Sequence, residues 1–352
     1  MFAPMTLVRA TAAALTLTAV ATACALPGGG DDDRGLTLGY LPNLTHTPAL
    51  VGVESGLLQR ALGEDVPLST QSFNAGPDAI NALFSGQIDA AFLGPGPTVN
   101  GWARSEGAAL RVIAGSTSGG AGLVVRPGVE DVEDLAGSTL ATPQLGNTQD
   151  VALRWFAKER GWRTDTAGGG DLSIIPQDNA ETVNAFALGE IDGAWLPEPH
   201  LSRLLVEAGG ELLLDEAEQW PRTDGDFVTT HLIVNADFLR ERPAAVEGLL
   251  RGHIDTVDRI NSRPEEAQEI AAAHLADLAG ARPDAEVVAS AFDNMTFTVD
   301  PIAPSLLEGA ERAQAVGLLD QVDLNGIYVL DPLNALLRED GRDEVAGPRE
   351  EK

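Results

Sequence analysis

Two short loops carry most of the side chains that recognition chemistry could use. Asn43, Thr45 and His46 sit in one, and Gln144, Asn147, Thr148 and Gln149 in the other. Amides, hydroxyls and an imidazole donate hydrogen bonds without a fixed charge, which suits a site that grips an oxyanion or another polar solute and leaves it unchanged. N-capping of the helices that follow accounts for the same Asn and Thr residues, and one residue can do both. His46 serves equally as a donor or as a closure for its own loop. Gln144 and Gln149 have no capping role where they stand. Neither loop contains Lys or Arg.

Covalent catalysis has little to work with. Lys158 and Lys352 are the only lysines, so a Schiff-base or pyridoxal-phosphate enzyme lacks a candidate, and GxSxG, HExxH, GxGxxG and P-loop patterns are absent. The histidines, His46, His200, His231, His253 and His274, have no His or Cys partner at helical spacing that would suggest a metal. Cys24 is the only cysteine, which excludes a disulfide framework and a thiolate cluster. The expectation is a protein that is not an enzyme, needs neither cofactor nor metal, and works as a monomer. A formal charge of −30 at pH 7 argues against nucleic acid as a partner and makes an anionic ligand depend on a local site. Helix N-termini can supply one.

The N-terminus predicts export. Arg9 precedes an uncharged run of small and apolar residues from Ala10 to Ala23, which has the length of a signal-peptide core and is too short to span a membrane. The run ends in Ala21-Thr-Ala-Cys24, which resembles a bacterial lipobox with Ala21 in place of the usual Leu. Residues 1–23 are therefore expected to be a signal peptide and Cys24 a lipid attachment point on the outer face of the membrane. Residues 24–35, with Pro27-Gly-Gly-Gly30 and Asp31-Asp-Asp33, read as a flexible tether.

The elements that would position the two loops come from a repeat. Asn81-Ala-Leu-Phe-Ser-Gly-Gln-Ile-Asp89-Ala-Ala-Phe92-Leu returns as Asn184-Ala-Phe-Ala-Leu-Gly-Glu-Ile-Asp192-Gly-Ala-Trp195-Leu, 103 residues later. Thr37-Leu-Gly-Tyr40 has a second copy in Thr139-Leu-Ala-Thr142. Such a period is too long for a solenoid and suits two similar α/β lobes with a cleft between them. Alternating strands and helices predict parallel βαβ winding, with the polar loops at the carboxyl ends of strands where ligands bind in open sheets. Helices are expected from Ala49, Asp78 and Val99 in one lobe, with Gly94-Pro95-Gly96-Pro97-Thr98 as a tight loop at the cleft edge, and from Val151 and Ala180 in the other. The first lobe is predicted over 36–118 and 231–338, the second over 119–230, and a disordered tail over 339–352. Ser118 and Gly119 fall at the first crossing between lobes, Thr230 and His231 at the second, as hinge backbone or cleft lining. Asp89 and Asp192, present in both copies, are read as fold maintenance. Trp195 is either core or a cleft wall.

Gly39-Tyr-Leu-Pro-Asn-Leu-Thr-His46-Thr-Pro48, Phe73-Asn-Ala-Gly76, Gly86-Gln-Ile-Asp-Ala-Ala91, Thr142-Pro-Gln-Leu-Gly-Asn-Thr-Gln-Asp150 and Trp195-Leu-Pro-Glu-Pro199 occur in order. Together they resemble the solute-binding proteins of ABC importers for nitrate, sulfonates and taurine, over about residues 36 to 235. The resemblance implies a type II periplasmic-binding-protein fold, α/β in class, that closes on a small-molecule anion and delivers it to a membrane permease with a cytoplasmic ATPase. It implies a ligand site among Asn43, Thr45, His46, Gly94, Pro95, Ser118, Gly119, Gln144, Asn147, Thr148, Gln149, Trp195, Glu198, Thr230 and His231, with Glu198 or Asp150 as a partner for the ammonium of taurine. Similar folds bind pyrimidine or other vitamin precursors, on which Trp195 would stack, and a pyrimidine-synthesising enzyme is the remaining alternative.

Overall fold

The computed structural model of the chain describes residues 35–348. The predicted signal peptide, Cys24, the tether to residue 34 and residues 349–352 lie outside the described residues. Within them no helix is long and apolar enough to cross a membrane.

The chain builds one sheet, crosses to build another, and returns. The first pass runs β1 (Leu36–Tyr40), α1 (Thr47–Glu54), α2 (Leu57–Leu62), β2 (Leu68–Ser72), α3 (Gly76–Phe84), β3 (Ala90–Leu93), α4 (Pro95–Arg104) and β4 (Leu110–Gly119). The second lobe contains β5 (Ala121–Val125), β6 (Thr139–Thr142), α5 (Thr148–Glu159), β7 (Ser173–Pro176), α6 (Asn179–Leu188), β8 (Gly193–Pro197), α7 (His200–Val206) and β9 (Glu211–Asp215). The return carries β10 (Val228–Asn235), α8 (Ala236–Glu241), α9 (Pro243–Ser262), α10 (Pro264–Ala279), α11 (Ala285–Asp293), β11 (Met295–Phe297), α12 (Ala303–Ala315) and α13 (Asp331–Glu339). Strand order is β11-β4-β10-β3-β1-β2 in the first sheet and β7-β6-β8-β5-β9 in the second.

Each sheet contains the same parallel trio, β2-β1-β3 and β7-β6-β8, while the crossing strands β4, β5 and β10 pair antiparallel with their neighbours. The repeated aspartates do the same job in both trios. Asp89 Oδ2 accepts from the Thr37 N–H at 2.9 Å, and Asp192 Oδ2 from the Thr139 N–H at 2.8 Å. Each thus ties the entry of one strand to the start of its parallel neighbour. Apolar residues on both faces of the strands feed the cores: Leu36, Leu38, Phe92 and Val234 pack under α1, α9 and α10, and Leu140, Phe156 and Trp195 fill the second lobe.

Helix starts differ from the sequence reading in one consistent way. α1, α3 and α4 begin at Thr47, Gly76 and Pro95, two to four residues before the expected positions, because Pro48, Pro77 and Pro95 occupy first-turn positions where a missing N–H costs nothing. The Gly94–Thr98 stretch is thus mostly helix rather than loop. At the first crossing Gly119 and Gly120 take φ of 75° and 72°, and a Cβ on them would lie 2.8 Å from the Asn294 carbonyl oxygen and 2.5 Å from Met295 Cγ. Glycine is therefore required there on both conformational and steric grounds. β10 starts at Val228, so Val228, Thr229 and Thr230 join the first sheet. In the segment after Glu339, Val345 exchanges two hydrogen bonds with the Asn334 side chain and packs on the first lobe's core.

Candidate functional site

Five helix starts converge on one cavity of about 70 Å³. Asn43, Thr45 and His46 reach it from the turn before α1, Asn74, Ala75 and Gly76 from the start of α3, Gly94 and Pro97 from α4, Gln144, Asn147 and Gln149 from α5, and Asp178 and Asn179 from α6. Residues at these positions leave backbone N–H groups without intrahelical partners and share the positive ends of the helix dipoles. Close approach of the helices is built into the sequence. A Cβ on Gly76 would lie 2.3 Å from Pro97 Cγ, and the Gly96 N–H donates to Thr148 Oγ1 across the cleft at 3.3 Å.

The lining is polar and carries little charge. No Lys or Arg lines it among the described residues, and Asp178 is its single ionisable carboxylate. Burial pushes the His46 imidazole down to about 3, so the ring is neutral at physiological pH. Its Nδ1 accepts from the Leu41 N–H at 3.4 Å, which leaves Nε2 as the protonated, donating nitrogen. The amide oxygens of Asn43 and Asn179 are buried without partners. Turned end for end, either amide presents NH₂ to an oxyanion. The cavity can therefore hold a small anion with neutral donors and helix dipoles alone, the logic of phosphate sites at helix N-termini.

Seven of the expected residues, Asn43, Thr45, His46, Gly94, Gln144, Asn147 and Gln149, meet at this cavity. Thr148 and Pro95 stand beside it but face a second, apolar cavity behind the same helices. The others lie elsewhere. Trp195 is fully buried, edge-on to Phe156, with Nε1 donating to Glu216 at 2.8 Å, so it is core rather than cleft wall. Glu198 is also fully buried; its carboxylate accepts from the Ser202 N–H and Oγ and from Asn294 Nδ2 at 2.8 Å, which uses the oxygens an ammonium would need. Asp150 is likewise committed, to Thr142 Oγ1, the Gly146 N–H and Arg154. Ser118 and Gly119 act within the first crossing: Ser118 Oγ accepts from the Phe227 N–H, and the Gly119 carbonyl accepts from Thr229 Oγ1. Thr230 and His231 point into β10's packing, with His231 Nε2 donating to the Pro301 carbonyl at 3.1 Å.

Asn74, Ala75, Gly76, Asp178 and Asn179 were not singled out as ligand residues from the sequence. The repeat held the signal for most of them. Ala75-Gly76 and Asp178-Asn179 are 103 residues apart, the period of the duplication, so the start of α6 is the second copy of the start of α3.

Two lobes, two crossings and a polar cavity at the strand ends define the type II periplasmic-binding-protein fold. Solved structures of that architecture superpose on it: the alkanesulfonate-binding protein SsuA of Xanthomonas axonopodis pv. citri, bound to MOPS, at a TM-score of 0.66 and 19% identity over 82% of this chain and 95% of that one. The nitrate-binding protein NrtA of Synechocystis PCC 6803 gives a TM-score of 0.72 at 13% identity over 87% and 89%. By sequence the chain belongs to the NMT1-like family, which matches residues 29–276. A protein of Brucella abortus (strain 2308), named in general terms as a binding protein, is 26% identical over 246 residues, 69% of this chain and 72% of the relative.

Proposed function

We propose that the protein is the extracytoplasmic solute-binding component of an ABC importer, anchored by lipid at Cys24, which takes a small organic anion into its cleft by hinge closure and delivers it to a membrane permease. One observation carries the reading: helix starts from both lobes meet at a polar cavity with neutral donors and no cation. That arrangement favours an anion whose charge is spread over several oxygens, each taking a hydrogen bond. The sulfonate and nitrate ligands in the names of the structural neighbours fit this chemistry.

Alkanesulfonate or taurine is preferred over nitrate because Pro97, Gln144 and Asn147 also line an adjoining groove of about 200 Å³, together with Pro77, Ile80, the half-exposed Leu145 and Arg104, whose guanidinium is bonded to Asn81. A short carbon chain can occupy it, whereas nitrate cannot use it. Asp178, the carboxylate left at the cavity, takes over the role expected of Glu198 or Asp150 toward an ammonium. A pyrimidine precursor gains no support here, since His46 is the only ring at the cavity among the described residues.

Thermal unfolding with taurine, ethanesulfonate, nitrate and a pyrimidine tests the reading. A solute at a hundred times its Kd stabilises by about 2.7 kcal/mol, a rise of roughly 5 °C for a chain of this size. A rise with a sulfonate and none with the pyrimidine is expected. A rise with the pyrimidine alone would overturn the ligand class.

A further inference from the structure

The second crossing, residues 216–227 between β9 and β10, is gripped from α12 of the first lobe by a buried arginine. Arg312 on α12, 4% exposed, donates to the Gln219 carbonyl and to Glu308 Oε1 at 2.7 Å, and its guanidinium lies 3.9 Å above the Trp220 ring. Trp220 in turn stacks on Phe227 with ring planes 6° apart. Four residues earlier, Glu216 is fully buried and fastened to the second lobe through Trp195 Nε1. Outside this pair, Arg222 bonds Glu311 at 3.0 Å and lies 3.7 Å from Glu308. The path from the second lobe's core to α12 thus runs Trp195, Glu216, Trp220, Arg312.

The cluster is held from several sides. Glu308 pairs with Arg312 and lies 3.7 Å from Arg222, and Glu216, bonded to Trp195 Nε1, is also drawn toward Trp220 and Arg312. The cavity that Arg312, Trp220 and Glu216 line also borders Pro95, Gly96, Gly146 and Thr148, the reverse side of the helix starts that face the candidate site. The cluster and the backs of those helix starts therefore share one cavity wall. Lys158 on α5, which donates to the Ala315 carbonyl at the end of α12, marks the same seam between lobes.

We propose that Arg312 is the clamp on lobe closure: it holds the second crossing against α12 in the closed arrangement, and opening unstacks it from Trp220 and brings it and Glu216 into water. The proposal rests on the hinge closure inferred above, but not on the identity of the solute. Its consequence is that Arg312, without touching the ligand, sets how much of the unliganded protein is closed.

The test is an interlobe distance distribution by pulsed electron spin resonance on the full chain with Cys24→Ser and spin labels at Gln87→Cys and Leu188→Cys, both exposed and in different lobes. Without solute, Arg312→Gln is expected to at least double the long-distance population, and Trp220→Leu to move it in the same direction. Arg203→Gln, a partly buried charge paired with Glu207 elsewhere in the second lobe, should leave it unchanged. If Arg312→Gln does not fold, Arg312→Lys, which keeps the charge and loses the flat stacking surface, should show an intermediate shift. A lower melting temperature with the wild-type distance distribution would make Arg312 a packing residue and overturn the clamp. Taurine or ethanesulfonate shortening the distance equally in wild type and Arg312→Gln would do the same while leaving hinge closure intact. Distances that no solute and no variant moves would remove both.

Discussion

The two lobes present the same kind of surface to the cleft, helix starts at strand ends, but finish it differently. In the first lobe α1, α3 and α4 have no side-chain cap, and each has proline in its first turn. In the second, Asn147 caps α5 by accepting from the Thr148 N–H, and Asp178 caps α6 by accepting from the Ala180 and Glu181 N–H groups. Acidic first-turn residues follow the same trend, with Asp150 and Glu181 in the second lobe against Asp78 alone in the first. Capping and carboxylates offset the positive end of a helix; bare helix starts leave it available. On the proposed function, the anionic group lies against the first lobe and a neutral or ammonium end against Asp178 in the second.

Ala75 and Asp178 occupy equivalent positions in the duplication, so exchanging their character breaks the comparison most sharply. Ala75→Asp gives α3 the cap that α6 has, which should stabilise the fold by about 1 kcal/mol. It also sets a carboxylate where the anion is expected, and sulfonate affinity should fall by about 30-fold or more in a calorimetric titration. Stability and binding moving in opposite directions is the signature. Gly76 and Asn179 form the next equivalent pair. Gly76→Ala drives a methyl group into Pro97, 2.3 Å away, and should cost about 1–3 kcal/mol by chemical denaturation, whereas Asn179→Ala should cost less.

Asp178→Asn sharpens the comparison from the other side. Asn keeps the cap while removing the charge, so ethanesulfonate should bind roughly 3-fold more tightly and taurine several-fold more weakly. Equal changes for both solutes would contradict the assignment of ends.

Buried titratable groups are held neutral in both lobes. Burial pushes His46 down to about 3 and His200, His231 and His253 down to about 4, and it pushes Glu216 up to about 7. The folded state holds the Glu216 proton more tightly than the unfolded chain does, so this group adds stability as pH falls from 8 through 7. The histidines are held neutral, so the unfolded chain takes up more protons below about pH 6.5 and stability is lost there. The histidines outweigh the one carboxyl, so melting temperature should change little from pH 8 to about 7 and fall below it. Glu216→Gln should make that fall steeper.

The repeat made the fold legible. Matching residues at a fixed period imply matching βαβ units, and Asp89 and Asp192 behave as that symmetry requires. The two polar loops were legible for the same reason, since the residues after a strand and before a helix face the cleft in this topology. What stayed hidden depended on packing between distant segments. Trp195 and Glu198 sit in a motif that reads as cleft-facing, yet Glu216, Phe156 and Asn294 draw both side chains inward, and nothing local to residues 195–199 announces those partners. The first-turn prolines misled in another way: a Pro-Gly-Pro run reads as loop until its N–H deficit is seen to match a helix start. Helices α8 to α12 complete the first lobe, and Arg312, far along the chain from the repeat, became visible only beside Trp220.

On the proposed function, the first lobe's uncapped helix starts hold the anionic end of the solute. Backbone amide shifts in a nitrogen-15 correlation spectrum, followed while ethanesulfonate is titrated in, test it most directly. Large shifts are expected for the N–H of Gly76, where α3 is uncapped, and small ones for Ala180 and Glu181, whose N–H groups already donate to Asp178. Shifts confined to α5 and α6, or none at a concentration that raises the melting temperature, would contradict it.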